Sequence, residues 1–200
     1  MPISHTNRRG QTFFLCQGIT KTGKARYFFS KTAAPDAPEQ IPAGHHIEES
    51  VNGVVSLVKD RKQLILPEEI QVIEAALRRH PKGNNYRVSV KGKQITVYER
   101  LGPDAEDMAE IGLALGETLP MYSRQELLEG MQALLDKNAQ YSPMLHFNLV
   151  DAAARTFCAK RATYVSSLPE WVDICGCGSL QELVDEIIPV LDTDEYFELI

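Results

Sequence analysis

Two hundred residues, 44% of them hydrophobic and 24% charged, suffice for one large domain or two small ones with a real core, and they exclude wholesale disorder. No apolar run nears the ~18 residues of a spanning helix, and none follows Arg8 and Arg9 to make a secretory leader, so a soluble, cytoplasmic chain with no membrane partner is expected. The net charge of −6 conceals a split: residues 1–100 carry 16 Lys and Arg against 9 Asp and Glu (+7), and residues 101–200 carry 5 against 18 (−13). That asymmetry points to a charged partner, unless the two halves neutralise one another.

In chain order, Thr12–Gln17 and Ala25–Ser30 are aromatic and apolar around Lys21-Thr22-Gly23-Lys24, the pattern of a β-hairpin with a loop of several residues. Pro35, Pro38 and Pro42 predict loop over 32–44. His46–Ser50 and Val54–Lys59 flank Val51-Asn52-Gly53, a second hairpin signal. Pro67-Glu68-Glu69 then opens a helix with Ile70, Ile73 and Leu77 on one face. Arg78, Arg79 and His80 sit at its last turn, where cations favour the dipole, and Pro81 stops it. Tyr86, Val88 and Val90 alternate with polar residues, Lys91-Gly92-Lys93 turns, and Ile95, Val97 and Tyr98 return as a third hairpin.

Leu101-Gly102-Pro103 is the predicted seam, where the charge changes sign. A helix is expected near Asp104–Leu115, ended by Gly116 and Pro120. Ser123-Arg124-Gln125-Glu126 has the form of a capping box ahead of the stripe Leu127, Leu128, Met131, Leu134 and Leu135. Leu145–Val150 and Thr156–Val165 read as extended, and Pro169-Glu170-Trp171 as one helical turn. Ser179-Leu180-Gln181-Glu182 is a second capping box, leading Leu180, Leu183, Val184, Ile187 and Leu191 along one face; Asp192–Ile200 is an acidic tail. Hairpins precede helices instead of interleaving with them, which predicts an α+β fold. Antiparallel hairpins and one helix make up a basic first subdomain, 1–102, and helices with a few strands make up an acidic second, 103–200; the two are separate or one continuous domain.

Four cysteines, Cys16, Cys158, Cys175 and Cys177, are too few for a disulfide-built secreted fold and read as thiols. Cys175 and Cys177 stand just ahead of a capped helix, whose unpaired amides and positive potential lower the pKa of a nearby thiol. They are the candidates for thiol catalysis or redox cycling, against the competing account of buried small fillers in a glycine turn. A zinc site wants four ligands and the second pair is absent. Adjacent His45 and His46 point apart, and His146, between Leu145 and Phe147, reads as a core histidine. Trp171 reads as a core anchor.

Lys21, Lys24, Arg26 and Lys31 surround Tyr27, Phe28 and Phe29 on the first hairpin, cations for phosphates with an aromatic to stack on a base. Tyr196 and Phe197 in the acidic tail are candidate anchors for a basic protein partner, or else pack the tail onto its own core. No phosphate loop, nucleophile elbow, kinase set or metalloprotease set appears, and no cofactor or metal is implied. The sequence therefore predicts a non-enzymatic protein-binding adaptor or regulatory module. Single-stranded nucleic-acid binding through 21–31 comes second, and a thiol enzyme or redox protein using Cys175 and Cys177 third.

Overall fold

The alternating stretches do become strands. A computed structural model describes residues 1–35, 37–104, 107–108, 124–165 and 168–200. The chain is α+β, and it divides into two compact units, each assembled from two segments: 1–60 with 102–140, and 61–101 with 141–200. Gly102 does lie at a crossing between units, but the halves on either side of it are not the units. Each unit joins a basic segment to an acidic one, so the charge split along the sequence does not divide the fold.

In the first unit, β1 (Ser4–Thr6), β2 (Thr12–Ile19) and β3 (Ala25–Ser30) form an antiparallel sheet in that order, and β4 (His45–Glu49) and β5 (Val55–Lys59) pair as a separate hairpin. Among its described residues few apolar side chains are fully buried, Leu15, Cys16 and Val55 among them, and side-chain hydrogen bonds tie its turns together. Buried Asn7 accepts from the amides of Arg9 and Gln11 and donates to Gly53 O at 2.7 Å, tying the β1–β2 turn to the β4–β5 turn. Arg8 donates to Asp136 O and Ala139 O at the C-terminal end of α2 (Arg124–Asn138), where free carbonyls and the helix dipole favour a cation. The helix expected over Asp104–Leu115 lies outside the described residues except for Asp104, Asp107 and Met108, as do Gly116, Pro120 and the Ser123 half of the first capping box.

The second unit has one continuous core. Its α1 (Pro67–Arg79) follows the sequence signals: Glu69 reaches back to the Leu66 amide at 2.8 Å, and Ile73, Ala76 and Leu77 are buried. Then β6 (Tyr86–Lys91), β7 (Gln94–Leu101), β8 (Gln140–Asp151), β9 (Thr156–Val165) and β10 (Leu168–Ser179) make a five-stranded sheet in the order β10-β9-β8-β7-β6. One face, including Ile95, Val97, Leu145, Phe147, Phe157, Ala159 and Ile174, packs on α1 and α3 (Leu180–Ile187). The second capping box forms as expected: the Glu182 amide donates to Ser179 Oγ, and Glu182 Oε2 accepts from the Ser179 amide at 3.0 Å. A short α4 (Asp194–Glu198) closes the chain.

Pro169-Glu170-Trp171 is strand, not a helical turn. Trp171 pairs with Ala162 and Glu170 with Thr163, and the edge of a sheet tolerates Pro169. His45 and His46 open β4, where successive side chains point to opposite faces.

Candidate functional site

The cysteines are not four thiols. Cys158 and Cys177 form a disulfide with Cα atoms 4.4 Å apart. The cause lies in the β9–β10 ladder: between the pairs Ile174–Ala159 and Gly178–Phe157, three residues of β10 face the single residue Cys158, and this bulge carries Cys175 at φ 59°. Cys175 keeps its thiol, half-buried against the core. Its pKa is pushed up to about 11, by burial first and then by the Glu186 carboxylate of α3. The expected activation at a helix N-terminus is outweighed, so Cys175 and Cys177 do not form a reactive thiol pair. The disulfide also removes the cysteine count as an argument for a reducing compartment. Among the described residues, no helix is long and apolar enough to cross a membrane.

His45 and His46 share no ligand: His46 Nδ1 lies 2.6 Å from Asp60 Oδ1, and His45 Nδ1 lies 3.0 Å from Ala43 O. His146 is not on the core face. It projects from the other face of the sheet, where Trp171 leans over β9 and stacks on it at 3.4 Å and 15°. Gln94 Nε2 donates to His146 Nδ1 at 3.1 Å and to Asn148 Oδ1 at 2.9 Å. Burial, and then the Lys160 cation, bring the imidazole pKa down to about 4.

The tail residues separate. Tyr196 is 3% exposed, and its hydroxyl donates to Met144 O at 3.1 Å; it belongs to the core and is not available to a partner. Phe197, next to it on a short helix, is 64% exposed, with the Arg161 guanidinium 5.9 Å from its ring. Arg161 is fixed in turn by donating to Tyr196 O at 2.7 Å. On the first hairpin, Lys21, Lys24, Arg26 and Lys31 are all exposed, while Tyr27 is half-buried.

Phe197 stands at the rim of a cleft of about 390 Å³ whose walls include Glu99, Met144, Asp192, Asp194 and Leu101. Three carboxylates face this space. Asp192 is paired with Lys82 at 2.6 Å; Glu99 and Asp194 have no hydrogen bond or ion pair among the described residues. Glu99 sits opposite Tyr86 in the β6–β7 ladder, and its pKa is raised, by burial first and by Asp192 second, with Lys82 pulling the other way. The cleft therefore combines exposed apolar surface with a half-buried carboxyl that has no ion pair of its own among the described residues, the Lys82 cation being paired with Asp192.

The sequence reading passed over Glu99, although a signal was present. Ile95, Val97 and Glu99 recur at every second position, which puts an acid in core-facing register on a strand. No protein family, curated protein or solved structure matches this chain, so its function is argued from the cleft and the surfaces alone.

Proposed function

We propose that this chain is a non-enzymatic protein-binding module whose acidic cleft takes a basic side chain from a partner segment, with Phe197 and Leu101 packing on the apolar residues beside it. The observation that carries the reading is Glu99. A half-buried carboxyl with no ion pair of its own costs free energy that the Lys82 cation, paired with Asp192, only partly offsets, and a lysine or arginine placed beside it returns that cost as binding. Asp194 adds a second unpaired charge at the mouth, and an exposed aromatic against an ordered guanidinium offers apolar area with little side-chain entropy to lose. The chain's charge supports the same partner: after Arg161, residues 162–200 contain nine carboxylates and no lysine or arginine.

Fluorescence polarisation with a labelled peptide, lysine and arginine interspersed with leucine, tests this. Binding is expected at low salt, with about a tenfold loss for Phe197→Ala and a comparable loss for Glu99→Gln. Ion pairing with the peptide also lowers the raised Glu99 pKa, so the calorimetric heat measured through the range above the ordinary glutamate pKa should depend on the ionisation enthalpy of the buffer. Equal affinities for wild type and both variants would remove the cleft as the binding site.

A further inference from the structure

The β2–β3 hairpin carries the opposite chemistry. From Met1 to Pro35 the chain has six cations (Arg8, Arg9, Lys21, Lys24, Arg26, Lys31) and no acidic residue. The last four cluster on and around this hairpin, all are exposed, and none forms an ion pair among the described residues. A cluster of like charges with no ion pair of its own among the described residues is a surface that a polyanion neutralises.

Alternation decides which aromatic accompanies them. Leu15 pairs with Phe29 and Gln17 with Tyr27 on one face; Cys16 pairs with Phe28 and Gly18 with Arg26 on the other. Phe28 is 44% exposed, two residues from Arg26 on the same face. Its ring lies against β2 at Gly18, where an added Cβ would stand 3.4 Å from Phe28 Cε1. The missing side chain thus lets the ring lie against backbone at Gly18 while much of its surface stays exposed. Tyr27, expected from the sequence to supply the stacking surface, points to the Leu15 side instead.

We propose that this hairpin binds single-stranded nucleic acid, with Phe28 stacking on a base and Lys21, Lys24, Arg26 and Lys31 contacting phosphates. A residue and its i+2 neighbour on a strand are about 7 Å apart, so Arg26 can meet a phosphate while Phe28 meets a neighbouring base. A duplex keeps its bases stacked and offers Phe28 nothing, so the single strand is the form that uses both features.

The test is fluorescence anisotropy with a labelled twelve-nucleotide oligothymidine, its duplex with oligoadenosine, and heparin of similar charge as competitor. The single strand should bind at 50 mM salt and weaken by roughly fiftyfold at 200 mM, as about four neutralised phosphates require. Phe28→Leu should weaken it about tenfold without changing that salt dependence, and Phe28→Trp should restore it. Lys24→Glu with Arg26→Glu should abolish binding, in protein whose circular dichroism and melting temperature match wild type. No binding at 50 mM salt overturns the proposal. Affinities that are equal for single strand and duplex, or unchanged by Phe28→Leu, also overturn it, leaving a general polyanion surface that heparin would occupy just as well.

Discussion

The same dipeptide, Tyr-Phe, occurs in both charged regions, and the two copies are used alike. In Tyr27-Phe28 and Tyr196-Phe197 the tyrosine turns inward and the phenylalanine outward. On β3 the strand period of two forces adjacent side chains to opposite faces; on α4 the ~100° step per residue does the same work less completely. The surroundings then give each phenylalanine a different meaning. Phe28 shares its face with Arg26 on a hairpin flanked by Lys21, Lys24 and Lys31, with no acid in the first 35 residues, whereas Phe197 lies beside carboxylates with the Arg161 guanidinium against its ring. Exposed aromatic area is common to both, and the sign of the surrounding charge is what sets them apart.

The largest expected effect falls on the tyrosines. Tyr196→Ala removes a ring buried in the main core and a hydrogen bond to Met144 O, and should cost about 3–5 kcal/mol in denaturant unfolding. Phe197→Ala should cost no more than about 1 kcal/mol while still weakening peptide binding. Equal losses from the two would mean that α4 does not seat its tyrosine in the core, and that the tail is a site throughout.

What the sequence made legible is what short-range rules govern. Aromatic and apolar runs about a turn located β2 and β3, alternation located β6 and β7, the Pro67-Glu68-Glu69 start located α1, and Ser179 with Glu182 located α3. Longer-range pairing overrode local signals elsewhere. Pro169 and the Cys-Gly-Cys-Gly run argue against a strand, yet β9 offers β10 a ladder from Leu168 onward, and Cys177 reaches Cys158 only because that ladder bulges. The two units were not legible either. Their segments alternate along the chain, and a hydrophobic pattern says that a strand is buried without saying against which segment. The His146–Trp171 stack needs two residues 25 apart, on strands that are not neighbours, to lie on one face, which no spacing rule announces.

The disulfide gives the next largest effect. Closing the segment from Cys158 to Cys177, a separation of 19, should contribute about 3 kcal/mol through restriction of the unfolded chain. Adding reductant, or changing Cys158→Ala, should therefore lower the melting temperature of the second unit by several degrees. Alkylation under denaturing conditions should modify two cysteines before reduction and four after. Four modified without reduction would restore the thiol reading.

Arg155 comes after that. It donates from Nε to Glu69 Oε1 at 2.9 Å and from both terminal nitrogens to Leu64 O, so it joins the β8–β9 turn to the start of α1. Glu69 is only 13% exposed at its side chain, and losing the cation leaves that carboxylate poorly solvated. Arg155→Met should cost about 2 kcal/mol in thermal or denaturant unfolding. A neutral result would show that the basic 61–101 and acidic 141–200 segments are joined by their shared sheet without help from this pair.

The smallest effects are in the pH dependence, where Glu99 and His146 have opposite signs. Glu99 has a raised pKa in the folded protein. As pH climbs out of the ordinary glutamate range, the unfolded chain loses this proton first, so stability falls until the pH passes the folded value and then levels off. Glu99→Gln should remove that fall and leave the protein somewhat more stable at neutral pH. For His146 the folded pKa is lowered from 6.5 to about 4, so the unfolded chain binds the proton first as pH drops. Stability is then lost between about pH 6.5 and 4, and His146→Gln should flatten that limb while keeping a partner for Gln94. Melting curves from pH 3.5 to 8 on wild type and the two variants separate the contributions. If the peptide binds at Glu99, it should erase the Glu99 limb alone, because a cation in the cleft supplies the counter-charge that burial denies, and it should leave the His146 limb unchanged.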